Sequence, residues 1–370
     1  GENAIEAILP YVDCDDRFAR KFAIDLLAQL PAQDAIPVIV ERLNDIDINV
    51  ISAAIDALGN LNATEYTNRL LELYDLYPVL RSHILAALAK FQDENLLPLF
   101  QDALGDEDPV IQLTALEGLT QLNHDAVIPF LIKKVDDMHE SLRAVVLKNI
   151  ISLIDKSGAS NGRMFPPHYK EYFLKMLEDQ ELEYVEAGLK GLSYFADDEV
   201  VPPIISKIGL DKNLDQLIFN ILKTSHLNVL GKLWEAVESQ RISPQKASYF
   251  SLALLIEYAR SDENLLNSKT VLETCENIIK HFHVLDIETK LAAIKVFLHL
   301  KLPYTTELYK EALEDLENMV RLQALEGIAE IGIYSFIDQL QQLTEDEDAF
   351  IREKAIEMLQ ESGLVAPDVS

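Results

Sequence analysis

The chain has 370 residues, and its 62 acidic residues outnumber 32 Lys and Arg, which gives a formal net charge of −30. This charge argues against nucleic-acid binding, because proteins gain affinity for that polyanion by releasing counterions with Lys and Arg. The content of 49 % hydrophobic residues with only 13 Gly and 14 Pro is globular and favours an all-α fold.

A short unit recurs along the chain, and its most visible part is an Asp-rich turn. Each turn has an Asp six residues before a common reference position; the turns span residues 45–51, 106–112, 137–143, 315–321 and 346–352. The reference positions are Arg20, Ile51, Arg81, Gln112, Arg143, Arg321 and Arg352. Consecutive reference positions from Arg20 to Arg143 are 30 or 31 residues apart, and Arg321 and Arg352 are 31 residues apart. A fixed period of this length is typical of a solenoid.

Each unit reads as two helices. The first is short and often opens at a proline, as at Pro37, Pro98, Pro129 and Pro202, where the missing N–H costs nothing. Carboxylates of the Asp-rich turn then cap the second helix. That helix carries a small or apolar residue three positions after the reference and larger ones at four and seven, which form one helical face. Such a hairpin buries this face only by stacking against its neighbours.

We therefore predict an all-α fold, an α-solenoid that forms a right-handed superhelix of about eleven helical hairpins. Their second helices are placed at residues 16–30, 48–61, 78–91, 109–122, 140–155, 182–195, 213–223, 244–260, 287–300, 318–331 and 348–361. Residues 155–168 are rich in Gly, Ser, Asn and Pro and predict the longest loop. This loop is either a tolerated surface insertion or a binding loop or hinge.

The segments Val127–Asp137 and Met319–Gly332 resemble the first and second helices of the HEAT-like repeat. The resemblance is to the short form of about 30 residues found in many bacterial scaffold proteins and in phycobilin lyases. It is strong over residues 35–155 and 305–362 and weaker between them. The resemblance implies a curved stack of helical hairpins that usually binds other proteins, and it implies no reaction.

The solenoid divides into three segments by regularity and charge. Residues 1–157 and 305–370 hold regular, acidic repeats, whereas residues 158–304 hold divergent repeats. Sixteen of the 28 aromatic residues lie in 165–310, and residues 201–300 carry no net charge. Large side chains fill irregular core space, but Tyr and Trp are also frequent at binding hot spots. On the second interpretation, the candidate partner-binding residues are Tyr172, Tyr194, Trp234, Tyr249 and Tyr258.

Motifs that carry chemistry are scarce. We find no glycine-rich phosphate loop, Gly-x-Ser-x-Gly or Cys-x-x-Cys, and we expect no catalytic residue, cofactor or metal. His281 and His283 are two residues apart on a predicted helix, so their side chains diverge. The Asp-x-Asp turns offer fewer oxygens than a calcium loop needs, and helix capping explains them better. Cys14 and Cys275 are too few for a disulfide framework.

The sequence also bears on location and partners. The longest apolar stretches fall far short of the roughly 18 residues of a membrane span, so we expect a cytoplasmic chain without direct membrane insertion. The start at Gly1 leaves a preceding segment, including a membrane anchor, open. We predict a non-catalytic scaffold that binds a protein or peptide, with a basic surface drawn to the acidic turns. The alternative is an enzyme subunit resembling phycobilin lyases.

Overall fold

The described part of the chain is helical, and the computed structural model confirms the predicted all-α solenoid. The structure describes residues 2–30, 33–122, 124–158, 165–195, 197–224 and 228–363. The chain divides into two compact units, Gly1–Asn161 and Gly162–Ser370. The finer division into residues 1–157, 158–304 and 305–370 stays a prediction.

The first unit contains five helix pairs in its described residues. The helices are α1 (Glu2–Ile8), α2 (Arg17–Leu27), α3 (Ile36–Glu41), α4 (Ile48–Asn60), α5 (Thr67–Leu76), α6 (Arg81–Lys90), α7 (Leu97–Ala103), α8 (Pro109–Gln121), α9 (Val127–Lys134) and α10 (Glu140–Ser157). Each odd-numbered helix contacts the even-numbered helix that follows it. The even-numbered second helices also contact one another in sequence, from α2 through α10. These contacts are the predicted stack of hairpins.

The second unit contains six further helix pairs in its described residues. The helices are α11 (Tyr169–Met176), α12 (Leu182–Leu192), α13 (Val201–Ile205), α14 (Lys212–Lys223), α15 (Val229–Glu238), α16 (Pro244–Ser261), α17 (Lys269–Lys280), α18 (Ile287–Leu300), α19 (Thr305–Leu313), α20 (Asn318–Ile331), α21 (Ile337–Leu343) and α22 (Ala349–Glu361). The second helices α12 to α22 again contact one another in sequence. Helix α16, with 18 residues, is as long as α10 of the first unit.

All eleven predicted second helices are present, with small differences at their ends. Helix α6 begins at Arg81 because Pro78–Leu80 forms a 3-10 turn before it. Helix α10 continues to Ser157, so the predicted loop at 155–168 begins later than the sequence indicated. Gly158 ends that helix in the left-handed conformation that glycine adopts readily. Residues 159–164 of that loop lie outside the described residues.

The core lies between the helices, and two repeated positions account for its close packing. The alanines three positions after the reference are buried in α2, α4, α8, α20 and α22. Six positions after the reference, which is Val185 in α12, glycine recurs where an aromatic ring of the first helix approaches closely. A Cβ at Gly118 would lie 2.3 Å from the Phe100 ring, and one at Gly191 would lie 2.1 Å from the Phe173 ring. A methyl group has no room at either position.

Candidate functional site

The Asp-rich turns act first as helix caps. The side chains of Asp16, Asp47 and Asp108 accept hydrogen bonds from the backbone N–H groups of the residues two positions later, at 2.9, 2.9 and 2.8 Å. Each bond satisfies a helix-start donor that would otherwise lack a partner inside its helix. The described residues contain no group of three or more His, Cys, Asp or Glu that could hold a metal ion. The three bonds are the helix caps that the sequence predicts for these turns.

A second set of bonds joins the turn before α2 to the turn of the next repeat. Arg20 forms a two-pronged ion pair with Asp45, with Nε and Nη2 each 2.8 Å from a carboxylate oxygen. Its Nη1 donates to the backbone carbonyls of Cys14 and Asp15. Both charged side chains are buried. Burial raises the pKa of the Asp45 carboxyl, but hydrogen bonds from Arg20 and a backbone N–H outweigh this, and the pKa is lowered.

The same link recurs in the second unit with the same spacing of 25 residues. Arg321 pairs with Asp346 at 2.7 and 2.9 Å and donates to two backbone carbonyls of its own turn. Lys290 pairs with Asp315 at 2.7 Å. We call these pairs, together with Arg20 and Asp45, the turn ladder. Its buried charges serve the fold and leave no free cation for a ligand.

A row of exposed apolar side chains follows the turns of the first unit. Ile46 and Leu76 lie five residues before their reference positions, and Phe18, Val79 and Val110 lie two before theirs. All five are exposed, and Ile46 is 99 % exposed. We call these five residues the apolar edge. Single exposed apolar residues are ordinary on a protein surface, but these five recur at two fixed positions of the repeat.

Contacts between neighbouring turns place the apolar edge on one side of the stack. Arg17, next to Phe18, bonds Asp47 at 3.0 Å, and Asp47 is the residue after Ile46. Arg81, two residues after Val79, lies 3.7 Å from Asp106, whose turn leads to Val110. The second helices that start at these turns contact one another in sequence. The second unit repeats the arrangement, with Leu316, Met319 and Phe350 exposed at the corresponding positions.

The carboxylates around the apolar edge give it an acidic border. The segments 11–18, 45–48, 75–79 and 106–110 hold nine Asp and Glu residues and one basic residue, Arg17. Asp15, Asp75 and Glu107 are exposed. An apolar row flanked by carboxylates attracts a surface that is both apolar and positively charged.

The five aromatic residues predicted as partner contacts do not form one group. Tyr172 and Tyr194 are half-buried and pack beside other rings: Tyr172 lies 5.3 Å from Tyr169, and Tyr194 lies 5.3 Å from Phe165, between ring centroids. Trp234 is buried and stacks on His281 at 5.6 Å. Among the described residues, its indole N–H finds no hydrogen-bond acceptor. Its burial assigns this ring to packing first.

The other two candidates lie on α16 and are more accessible. Tyr249 is 59 % exposed. Tyr258 is half-buried and lines a pocket of about 440 Å³ with residues of α14, α15 and α17. Apolar walls from Val229, Leu230 and Leu265 meet a polar rim that includes Lys223. This volume suits one side chain or a small ligand.

The two cysteines and His281 make packing and backbone contacts. Cys275 is buried, and burial raises the pKa of its thiol to about 12, so it is protonated at neutral pH. Cys14 is partly exposed, and its Sγ lies 3.4 Å from the Asp16 carbonyl oxygen. His281 stacks on Trp234, and its Nδ1 lies 2.9 Å from the Asn277 carbonyl oxygen. These contacts are structural.

Comparison with known proteins identifies the repeat. The family profile for HEAT repeats matches residues 5–81, 68–151 and 305–369, which is more than half of the chain. The chain belongs to the HEAT-repeat family. A crystal structure of an engineered protein is similar to this HEAT-repeat chain at 16 % identity and a TM-score of 0.41, covering 96 % of this chain and 98 % of that one. No curated protein matches the sequence.

HEAT repeats generally bind proteins and are typically non-enzymatic. Among the helices that the structure describes, none combines the length and the apolar composition of a membrane span. The apolar edge was missed by sequence reasoning, although a signal existed. Its residues lie at positions −5 and −2 from the reference, outside the buried face at +3, +4 and +7.

Proposed function

We propose that this HEAT-repeat protein is a non-catalytic scaffold that binds a partner protein or peptide on the surface of its repeats. The observation that carries the proposal is the apolar edge of the first unit, where large side chains are exposed at repeated positions. Exposed apolar groups that form a patch bordered by polar residues mark interaction sites on soluble proteins. Binding there needs no change in the buried core.

Affinity capture from the native cell tests this proposal, with the wild-type chain compared with the variant Ile46→Ser/Val79→Ser/Val110→Ser. Because all three side chains are exposed, the variant is expected to fold with an unchanged unfolding midpoint. Partners that use the apolar edge are lost from the variant. The matched control is Tyr334→Ser, which removes an equally exposed ring outside the edge. Identical capture by the wild type and the triple variant contradicts this placement.

The aromatic residues of the middle repeats are proposed as a second contact region. Tyr249 and Tyr258 are its strongest members, because one is exposed and the other lines the 440 Å³ pocket. Substitution of either by Ala is expected to reduce partner capture while the fold stays intact. Trp234→Ala is expected to destabilise the fold by about 3–5 kcal/mol, as for other buried aromatic rings. Tyr172 and Tyr194, half-buried against other rings, are expected to show both effects.

The partner is expected to be a protein rather than nucleic acid, because the net charge of −30 repels a polyanion. A gel shift with duplex DNA at physiological salt checks this expectation, and a micromolar complex contradicts it. The short bacterial repeat type, the cytoplasmic location and the chromophore-attachment alternative stay predictions. A bilin-transfer assay with the purified chain tests the last of these.

A further inference from the structure

We propose that the apolar edge of the first unit binds a basic amphipathic α-helix of the partner. This inference rests on the proposed scaffold function and names the chemistry of what the edge receives. The edge supplies apolar contacts through Phe18, Ile46, Leu76, Val79 and Val110. The carboxylates that border it supply the attraction for Lys and Arg.

Charge complementarity indicates the sign of the partner's charge. The four turn segments carry nine carboxylates, and arginines already pair with four of them, which are Asp13, Asp45, Asp47 and Asp106. The remaining five leave the turns with a net negative charge. An acidic partner would meet like charges directly beside the apolar contacts, which costs binding free energy. A basic partner gains attraction from the unpaired carboxylates of the same turns. The exposed Asp15, Asp75 and Glu107 are the side chains placed to provide it.

The backbone of the edge indicates that the partner segment is helical. The N–H groups of Phe18, Asn49 and Val110 at the helix starts are already bonded to the capping carboxylates of their own turns. An extended peptide would bring unpaired backbone groups against a surface whose donors are occupied. An α-helix satisfies its own backbone and presents only side chains. The edge therefore suits a partner that binds through side chains alone.

The spacing of the repeats fits the spacing of residues on a helix. Packed helices lie about 8–10 Å apart, so the edge positions of neighbouring repeats recur at about that distance. A helix rises about 1.5 Å per residue, so apolar residues seven positions apart recur every 10.5 Å or so along one face. A partner helix lying along the apolar edge can place one apolar side chain beside each Asp-rich turn. The four Asp-rich turns span about 27 Å, which is the length of roughly 18 residues of an α-helix.

Three fluorescein-labelled synthetic peptides of this length test the inference by fluorescence anisotropy with the full chain. The first carries Leu on one helical face and Lys on the other. The second replaces every Lys with Glu, and the third replaces every Leu with Gln. Only the Leu/Lys peptide is expected to bind. Raising the salt concentration from about 50 to 500 mM is expected to weaken its binding, because the distance over which charges attract shortens to a few Å.

Variants of the full chain locate the binding. Ile46→Ser/Val79→Ser/Val110→Ser is expected to weaken the Leu/Lys peptide by about tenfold or more, as for the loss of hot-spot contacts. Asp15→Asn/Asp75→Asn/Glu107→Gln is expected to weaken it at low salt and to reduce its salt dependence. Tyr334→Ser, exposed outside the edge, is expected to bind as the wild type does. Unchanged unfolding midpoints show that the variants are folded.

The outcomes separate this inference from the scaffold proposal. Equal affinity for the Leu/Lys and Leu/Glu peptides overturns the assigned charge, and an undiminished affinity in the triple Ser variant overturns the assigned surface. If no peptide binds but the triple Ser variant still loses its cellular partner, the scaffold function stands and the basic helix is wrong. If the Leu/Lys peptide binds only the wild type and the Tyr334→Ser control, the inference is supported.

Discussion

Loss of Arg321 is expected to destabilise the C-terminal repeats strongly, because its guanidinium is buried in the turn ladder. Arg321→Met removes two bonds to Asp346 and two to backbone carbonyls. The Asp346 carboxylate then stays buried without its cation and keeps the hydrogen bond from the backbone N–H of Asp348 at 2.8 Å. Removing one member of a buried ion pair typically costs about 3–5 kcal/mol. We expect a loss of this size.

Hydrogen exchange measured by mass spectrometry is the appropriate assay. Repeat arrays do not always unfold in one step, so local opening of α20 and α22 is more informative than a global midpoint. The loss is expected as faster exchange of their core amides, by a factor of about 100 or more for 3 kcal/mol. Helices α2 to α8 are expected to exchange as in the wild type, since repeats couple mainly to their neighbours.

Two further variants decide whether the reasoning is correct. Lys269→Met breaks an exposed pair with Glu273 at 3.3 Å and is expected to change stability by less than about 0.5 kcal/mol. Arg321→Met/Asp346→Leu replaces the buried pair with apolar groups and is expected to recover part of the loss, because no buried charge remains unpaired. If Arg321→Met behaves like Lys269→Met, the turn ladder does not stabilise the repeats.

Three other predictions follow from the described contacts. Gly191→Ala is expected to destabilise the second unit, because overlap of the new methyl group with the Phe173 ring costs about 1–3 kcal/mol, whereas the gain in helix propensity is about 1 kcal/mol. Urea unfolding measures the change in stability, and Gly191→Ala/Phe173→Leu is expected to recover stability. A thiol reagent at pH 8 is expected to modify Cys14 alone in the folded chain, because burial raises the pKa of the Cys275 thiol to about 12. Equal reaction of both thiols contradicts this expectation. The Asp45 carboxyl has a lowered pKa in the folded chain, so its contribution to stability is present above the unfolded pKa of about 3.9 and is lost as the pH falls through the folded pKa. The free energies of unfolding of the wild type and Asp45→Asn are therefore expected to converge as the pH is lowered from about 5 to 2.

The sequence predicts where the second helix of every hairpin lies along the chain, because several local signals agree. An Asp that caps a helix, an apolar face with helical period and a proline in the first turn all fix the same boundaries, as at Asp108 and Pro109. Agreement between local and global preferences is what makes such a fold readable from one chain. The helix ends differ where a 3-10 turn or a glycine intervenes, as at Pro78 and Gly158.

The exposure of individual aromatic rings could not be predicted in the same way. Trp234 and Tyr249 both lie on helices of the divergent repeats, yet one is buried against His281 and the other is exposed. That difference is set by residues distant in sequence, and the irregular spacing of these repeats conceals which helical face they cover. Glycine six positions after the reference is a more local signal, since Gly118, Gly191 and Gly327 each meet an aromatic ring of the preceding helix.

The turn ladder also makes the repeat a unit that can be copied. Arg20 reaches Asp45 and Arg321 reaches Asp346, so each bond crosses from one repeat into the next over the same 25 residues. The repeat that holds Asp315 and Arg321 carries one acceptor for the repeat before it and one donor for the repeat after it. Tandem duplication or deletion of that repeat can therefore change the number of repeats while the buried charges of the turn ladder stay paired. The length of such a chain can evolve in whole steps of one repeat.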